Sequence, residues 1–150
     1  MSNEMTKAIA RRVWEEVFNK RNLALADELL APEAINHEAP PGVESRGPEG
    51  LKGAVRWLSA AFPDMHMAID DVIAEGDKVV LLTTMSGTHQ APFWGIPPTG
   101  RHFACRHVHV VRIVDGIVVE HWAVRNDLEF LEQLGVMPEP SAAAGTVGQP

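Results

Sequence analysis

The chain has 150 residues, 45% hydrophobic and 22% charged, with a formal net charge of -7 and one cysteine, Cys105. That length fits a single domain with its own core, and one cysteine excludes an internal disulfide or a multi-cysteine zinc site. An acidic chain without an extended Lys/Arg cluster lacks the positive footprint that nucleic acid demands, and no apolar run approaches the roughly 20 residues that span a bilayer.

Residues 3–19 carry a helical stripe, with Ile9, Val13 and Val17 at spacing four and Ala10, Trp14 and Phe18 beside them. Asn22 is placed to cap a short second helix through Leu25, Leu29 and Leu30, ended by Pro32. Residues 32–47 then read as a proline-rich loop around Ile35-Asn36-His37. Pro48 suits the first turn of a third helix, which presents Leu51, Val55 and Leu58 and ends near Phe62-Pro63-Asp64. From residue 65 the period changes to two: strands are predicted over 65–74, 78–89, 101–114 and 117–126, with a Pro- and Gly-rich loop at 90–100. Asp115-Gly116 is a strong two-residue hairpin signal. A short helix, 127–134, stops at Gly135. The Ala, Gly, Pro and Ser of 138–150 predict a disordered tail after a domain spanning 1–137.

Helices followed by a meander predict an α+β fold: a curved antiparallel sheet closed by N-terminal helices around one pocket for a small apolar molecule. The polar N-terminus carries no signal-peptide pattern, so a cytoplasmic protein is expected.

A two-residue turn at Asp115-Gly116 sets His109 opposite Trp122, His107 opposite Val124 and Cys105 opposite Asn126. One face then carries Cys105, His107, His109, Val111, Glu120, Trp122, Val124 and Asn126. The other carries Arg106, Val108, Val110, Arg112, Val119, His121, Ala123 and Arg125. The first face mixes polar and aromatic groups as a ligand cavity does; the second suits solvent or a subunit contact. A single β-bulge would exchange the faces beyond it.

His107 and His109 are the candidate acid/base pair, since imidazole titrates near neutrality. The same spacing suits a metal, but the third ligand would have to be His37 or Glu120, and the expectation is no metal. His37 is a candidate rim donor, Trp94 a lid over the pocket, Trp122 and Phe62 its walls, and Glu120 a polar contact. Asp127 either caps the last helix or acts as an acid/base whose pKa desolvation raises.

Several fragments, in order, carry a resemblance: Phe62-Pro63-Asp64, Glu75-Gly76-Asp77-Lys78-Val79, Gly87-Thr88-His89, Gly95-Ile96-Pro97-Pro98-Thr99-Gly100, Val114-Asp115-Gly116, Glu120-His121-Trp122 and Gln133-Leu134-Gly135. Over residues 5–135 the chain resembles the SnoaL-like polyketide (ester) cyclases of the nuclear transport factor two-like superfamily. The resemblance implies a cone of curved sheet, a homodimer formed through the outer sheet face, and intramolecular aldol ring closure on an aromatic polyketide ester without metal or organic cofactor. It also implies an acid/base carboxylate near the end of the last strand. Many relatives read Trp-x-x-x-Asp there, whereas the fourth residue after Trp122 is Asn126. An amide is no base, so Asp127 turned inward, or His107 or His109, would take the α-proton, with Asn126 or a histidine donating to the enolate oxygen. Two rival readings remain. One is a binding protein that holds a hydrophobic molecule unchanged. The other is an epoxide-hydrolase-like enzyme, which needs an Asp-Arg-Asp set where the predicted inner face offers only Glu120.

Overall fold

The structure is a computed structural model and describes residues 1–137; the tail expected at 138–150 lies outside them. The predicted first helix is continuous. Ser2 accepts the Met5 N–H, α1 runs Asn3–Arg12, and a wider π-helical segment continues over Val13–Asn19. Its apolar stripe, Ala10, Trp14, Val17 and Phe18, is buried.

The second helix is shorter than expected. A 3-10 turn, Leu23–Leu25, leads into α2, Ala26–Leu29, and the chain then extends as β1, Leu30–Asn36. The proline-rich stretch is therefore partly strand. Pro32 is tolerated because β1 is an edge strand, where a missing N–H costs no ladder bond. α3, Gly47–Ala61, starts with φ +64° at Gly47; a Cβ there would stand 2.3 Å from the Pro32 carbonyl oxygen, so glycine permits the close approach to β1.

The remaining elements are β2 (His66–Glu75), β3 (Lys78–Thr88), β4 (His102–Val114), β5 (Ile117–Arg125) and α4 (Asp127–Gln133). The sheet order is β1-β5-β4-β3-β2. Its last four strands form the antiparallel meander, but β1 runs parallel to β5, making the sheet mixed rather than wholly antiparallel. Asp115 and Gly116, at φ +52° and +81°, form the hairpin turn whose twist matches that of the strands it joins. Register shifts interrupt β2–β3 and β4–β5, and such bulges bend a sheet.

Helical segments cover one face of the sheet, where Val13, Trp14, Phe18 and Val55 join Met67, Leu81, Phe103 and Val111 in the core. Two amides pin helices to strands. Asn19 donates to the Met67 carbonyl at 2.9 Å and accepts its N–H at 2.8 Å. Gln133 does the same for Ala104, at 3.0 and 2.7 Å. Both satisfy strand backbone groups that have no neighbouring strand there. No helix is long and apolar enough to cross a membrane among the described residues.

Candidate functional site

Strand β4 builds the floor of the site by strict alternation. Phe103, Cys105, His107, His109, Val111 and Ile113 all point inward and are buried. β5 does not follow the simple hairpin register. Ile113 pairs with Val118 but Arg112 pairs with Glu120, so Val119 is an extra residue. From that bulge onward the faces of β5 are exchanged. His109 stands opposite Ala123 rather than Trp122, and His107 opposite Arg125 rather than Val124. His121, Ala123 and Arg125, expected outside, share the inner face with the histidines of β4; Glu120, Trp122 and Val124, expected inside, lie on the outer face.

A cavity of about 290 Å³ opens above this floor, close to the lower bound of roughly 300 Å³ for small-molecule sites. Leu51, Ala54, Trp57 and Leu58 of α3 form one wall, and Met67, Met85 and Phe103 of the sheet another. Phe62 contributes to the wall and is 1% exposed; its ring centroid lies 4.9 Å from those of both Phe93 and Phe103. The loop between β3 and β4 contributes Phe93 and Trp94 to the lining. Phe93 is buried against Trp57 and Phe62, and Trp94 and Gly95, at φ +51° and +74°, turn the chain so that Trp94 lines the cavity while 47% exposed.

His107 and His109 both line the cavity. Burial, reinforced by the Arg125 charge, pushes His107 down to about 4. Burial, with His121, His107 and Arg125 acting in the same sense, holds His109 well below its usual range. Both rings are therefore neutral at pH 7. His107 Nε2 lies 3.8 Å from Cys105 Sγ, and burial pushes that thiol up to about 11. His109 Nδ1 is 2.9 Å from His121 Nε2, and His121 Nδ1 is 2.7 Å from Asn36 Oδ1. Among the described residues Arg125 is the one Lys or Arg lining the cavity.

The other predicted site residues fall in three places. Asp127 is exposed on the cavity rim as the first residue of α4, so the capping role open to it in the sequence falls to its neighbour, and its carboxylate is not desolvated by burial. Asn126 does not line the cavity; it is the N-cap of α4, accepting the Glu129 N–H at 3.1 Å and donating to Glu129 Oε2 at 2.8 Å. His37 sits at the rim, with Nε2 2.6 Å from Glu120 Oε2 and its ring stacked on Trp122 at 5.1 Å. Glu120 also accepts from Arg112 Nε at 3.0 Å, and its hydrogen bond to His37, then that to Arg112, lowers its pKa. Trp122 and Glu120 thus tether the rim loop from the outer face instead of lining the main cavity. No group of three His, Cys, Asp or Glu suited to a metal occurs among the described residues. Asn36, His121 and Arg125 were not singled out by sequence pattern, because their placement depends on the parallel strand and on the bulge.

An apolar, aromatic-lined cavity with neutral histidines and one guanidinium in its lining, inside an α+β cone, has the makeup of a site for a small organic molecule. The chain belongs to the SnoaL-like polyketide cyclase family, whose model matches residues 8–134. It is 35% identical over 109 residues to the aklanonic acid methyl ester cyclase of Streptomyces peucetius, covering 72% of each chain. It is 30% identical over 120 residues to the nogalonic acid methyl ester cyclase of Streptomyces nogalater, covering 79% of this chain and 89% of that one. The structure of TsrD from Streptomyces laurentii superposes with a TM-score of 0.81 at 30% identity, over 91% of this chain and 99% of that one.

Proposed function

We propose that this protein closes a ring on an aromatic polyketide ester by cofactor-independent acid/base chemistry, with His109 as the base. The observation that carries this reading is the pair of neutral imidazoles, His107 and His109, in the floor of an apolar cavity beside Arg125. His109 Nε2 takes the α-proton from a carbon between two carbonyls. The enolate oxygen is held by the Arg125 guanidinium, which lines the same cavity. The enolate carbon attacks the ketone carbon, one C–C bond forms, and the imidazolium returns its proton to the new alkoxide. No atom is lost. Charge appears on substrate and His109 together, so each stabilises the other in a dry site, which offsets the low basicity of a buried imidazole. Phe62, Trp57 and Trp94 hold the apolar rings, and His37 lies at the entrance.

The binding-protein reading drew its support from Asn126 in place of an aspartate. Asn126 caps α4 and is not among the residues lining the cavity, which favours a base elsewhere in the site. The test is turnover of a panel of aromatic polyketide methyl esters, including those named for the two Streptomyces relatives. Ring closure leaves mass unchanged, so products are separated chromatographically and read by absorbance. Wild-type turnover that falls about 100-fold or more in folded His109→Gln is expected. Wild-type rates in that variant would move the base to Asp127, tested by Asp127→Asn; binding of every ester without conversion would leave a carrier.

The partner reading is a second copy of this chain. Leu82, Val108 and Val124 are in register on three adjacent strands of the outer face and are 38%, 37% and 73% exposed. Such an apolar row suits an isologous contact. Sedimentation should give a dimer that Val124→Glu dissociates; a monomeric wild type would refute this.

A further inference from the structure

The hydrogen-bond chain behind His109 has a direction that can be read atom by atom. It starts at Asn36, the last residue of β1, whose Oδ1 accepts the Glu38 backbone N–H at 2.9 Å. That contact identifies the atom as the amide oxygen, since a side-chain NH₂ cannot accept an N–H. The same oxygen lies 2.7 Å from His121 Nδ1, so Nδ1 carries the proton. Burial first, then the Arg125 and His37 charges, pushes His121 down to about 3 and keeps the ring neutral. A neutral ring with its proton on Nδ1 has its lone pair on Nε2. His109 Nδ1, 2.9 Å from that nitrogen, must therefore donate. His109 in turn is left with its lone pair on Nε2, a buried atom with no hydrogen-bond partner among the described residues.

We propose that Asn36 and His121 are positioning residues that lock His109, one of the cavity's lining residues, in its Nδ1–H tautomer, leaving Nε2 as an unprotonated, unengaged base. The backbone N–H of Glu38 sets the polarity of the whole chain, and each hydrogen bond dictates the tautomer of the next ring. Packing holds the rings in line. His109 and His121 are stacked with centroids 5.2 Å apart and 18° between planes, and Trp14 packs against both at 4.9 and 5.9 Å. The chain also gives proton uptake somewhere to go electrostatically. When Nε2 is protonated, the Nδ1–H of His109 becomes a charge-assisted donor to His121, whose own N–H points at the Asn36 oxygen. The charged or titratable groups around His109 are His107, His121 and Arg125. Arg125 opposes that charge until an enolate neutralises it, which ties basicity to bound substrate.

The role as base rests on the cyclase reading; the tautomer does not, and two measurements separate them. Long-range proton–nitrogen correlation spectra of the ¹⁵N-labelled protein at pH 7.5 report the tautomer of each imidazole. His109 and His121 should both carry the proton on Nδ1 in the wild type. Asn36→Leu removes the acceptor and should release both rings to mixed or Nε2–H forms. Asn36→Asp keeps an acceptor at the same place and should retain the Nδ1–H forms, while moving the acid limb of the pH–rate profile upward. With a turned-over ester, His121→Phe and Asn36→Leu should lower kcat about 100-fold and about 10-fold with KM nearly unchanged, as for a base in the wrong tautomer, and Asn36→Asp should recover turnover. A wild-type His109 with its proton on Nε2 would overturn the proposal without any activity measurement. So would Nδ1–H tautomers that persist in folded Asn36→Leu and His121→Phe. The assigned tautomers in a wild type that converts no ester would support the lock and sink the cyclase reading instead.

Discussion

Acid should unfold this domain through its buried histidines. Burial pushes His107 to about 4 and His121 to about 3, and holds His109 well below its ordinary value, with Arg125 acting in the same sense on all three. In the unfolded chain each returns to about 6.5. Between about pH 6.5 and 4 the unfolded state therefore binds protons that the native state refuses. Stability is full above pH 6.5 and is lost as pH falls. At pH 5 an imidazole with a pKa of about 6.5 is roughly thirtyfold more protonated than neutral, a loss of about 2 kcal/mol per histidine and about 6 kcal/mol for the three. Domains of this size have about 5–15 kcal/mol in total, so the native state is marginal near pH 5. Asp64 and Glu120, both held low by hydrogen bonds, act only below about pH 4.5, where protonation removes their stabilisation. Urea unfolding at pH 7.5, 6.0 and 5.0 measures the effect directly. The slope near pH 5.5 should correspond to nearly three protons, about 4 kcal/mol per pH unit, and His107→Leu should remove about one of them. A fall of less than about 2 kcal/mol between pH 7.5 and 5.0, or an unchanged slope in the variant, would refute the claim that these rings are buried neutral.

Asn126→Asp should keep the helix cap and leave kcat within about twofold, whereas Asn126→Ala should cost about 1 kcal/mol of stability by thermal melting and nothing in turnover. A gain of activity in Asn126→Asp would place this position in the site after all. Cys105, its thiol pushed up to about 11 by burial and the nearby carboxylates Glu129 and Asp127, should resist iodoacetamide at pH 8 in the native protein and react once urea unfolds it. Trp94→Ala should raise KM for an aromatic ester several-fold with the melting temperature unchanged, because the ring is half exposed over the cavity while Phe93 anchors the loop. An unaltered KM would show that the ring does not touch substrate.

Local pattern was enough to place most elements. The 3.6-residue stripe of Val13, Trp14 and Val17, the hairpin turn at Asp115-Gly116 and the alternation of β4 are properties of neighbouring residues, so His107 and His109 could be assigned to one face from spacing alone. β1 was hidden because Pro32 reads as a break, and only an edge position with a long-range parallel partner makes strand acceptable there. Half of the site was hidden for a sharper reason. Side chains alternate with period two, so the single extra residue at Val119 inverted every later position of β5. It exchanged Trp122 and Glu120 for His121 and Arg125 on the inner face. Sequence by itself determined which residues could carry a proton; whether Asn36, His121 and His109 meet in line was decided by tertiary structure, because a bulge and a parallel pairing depend on contacts far apart in the chain.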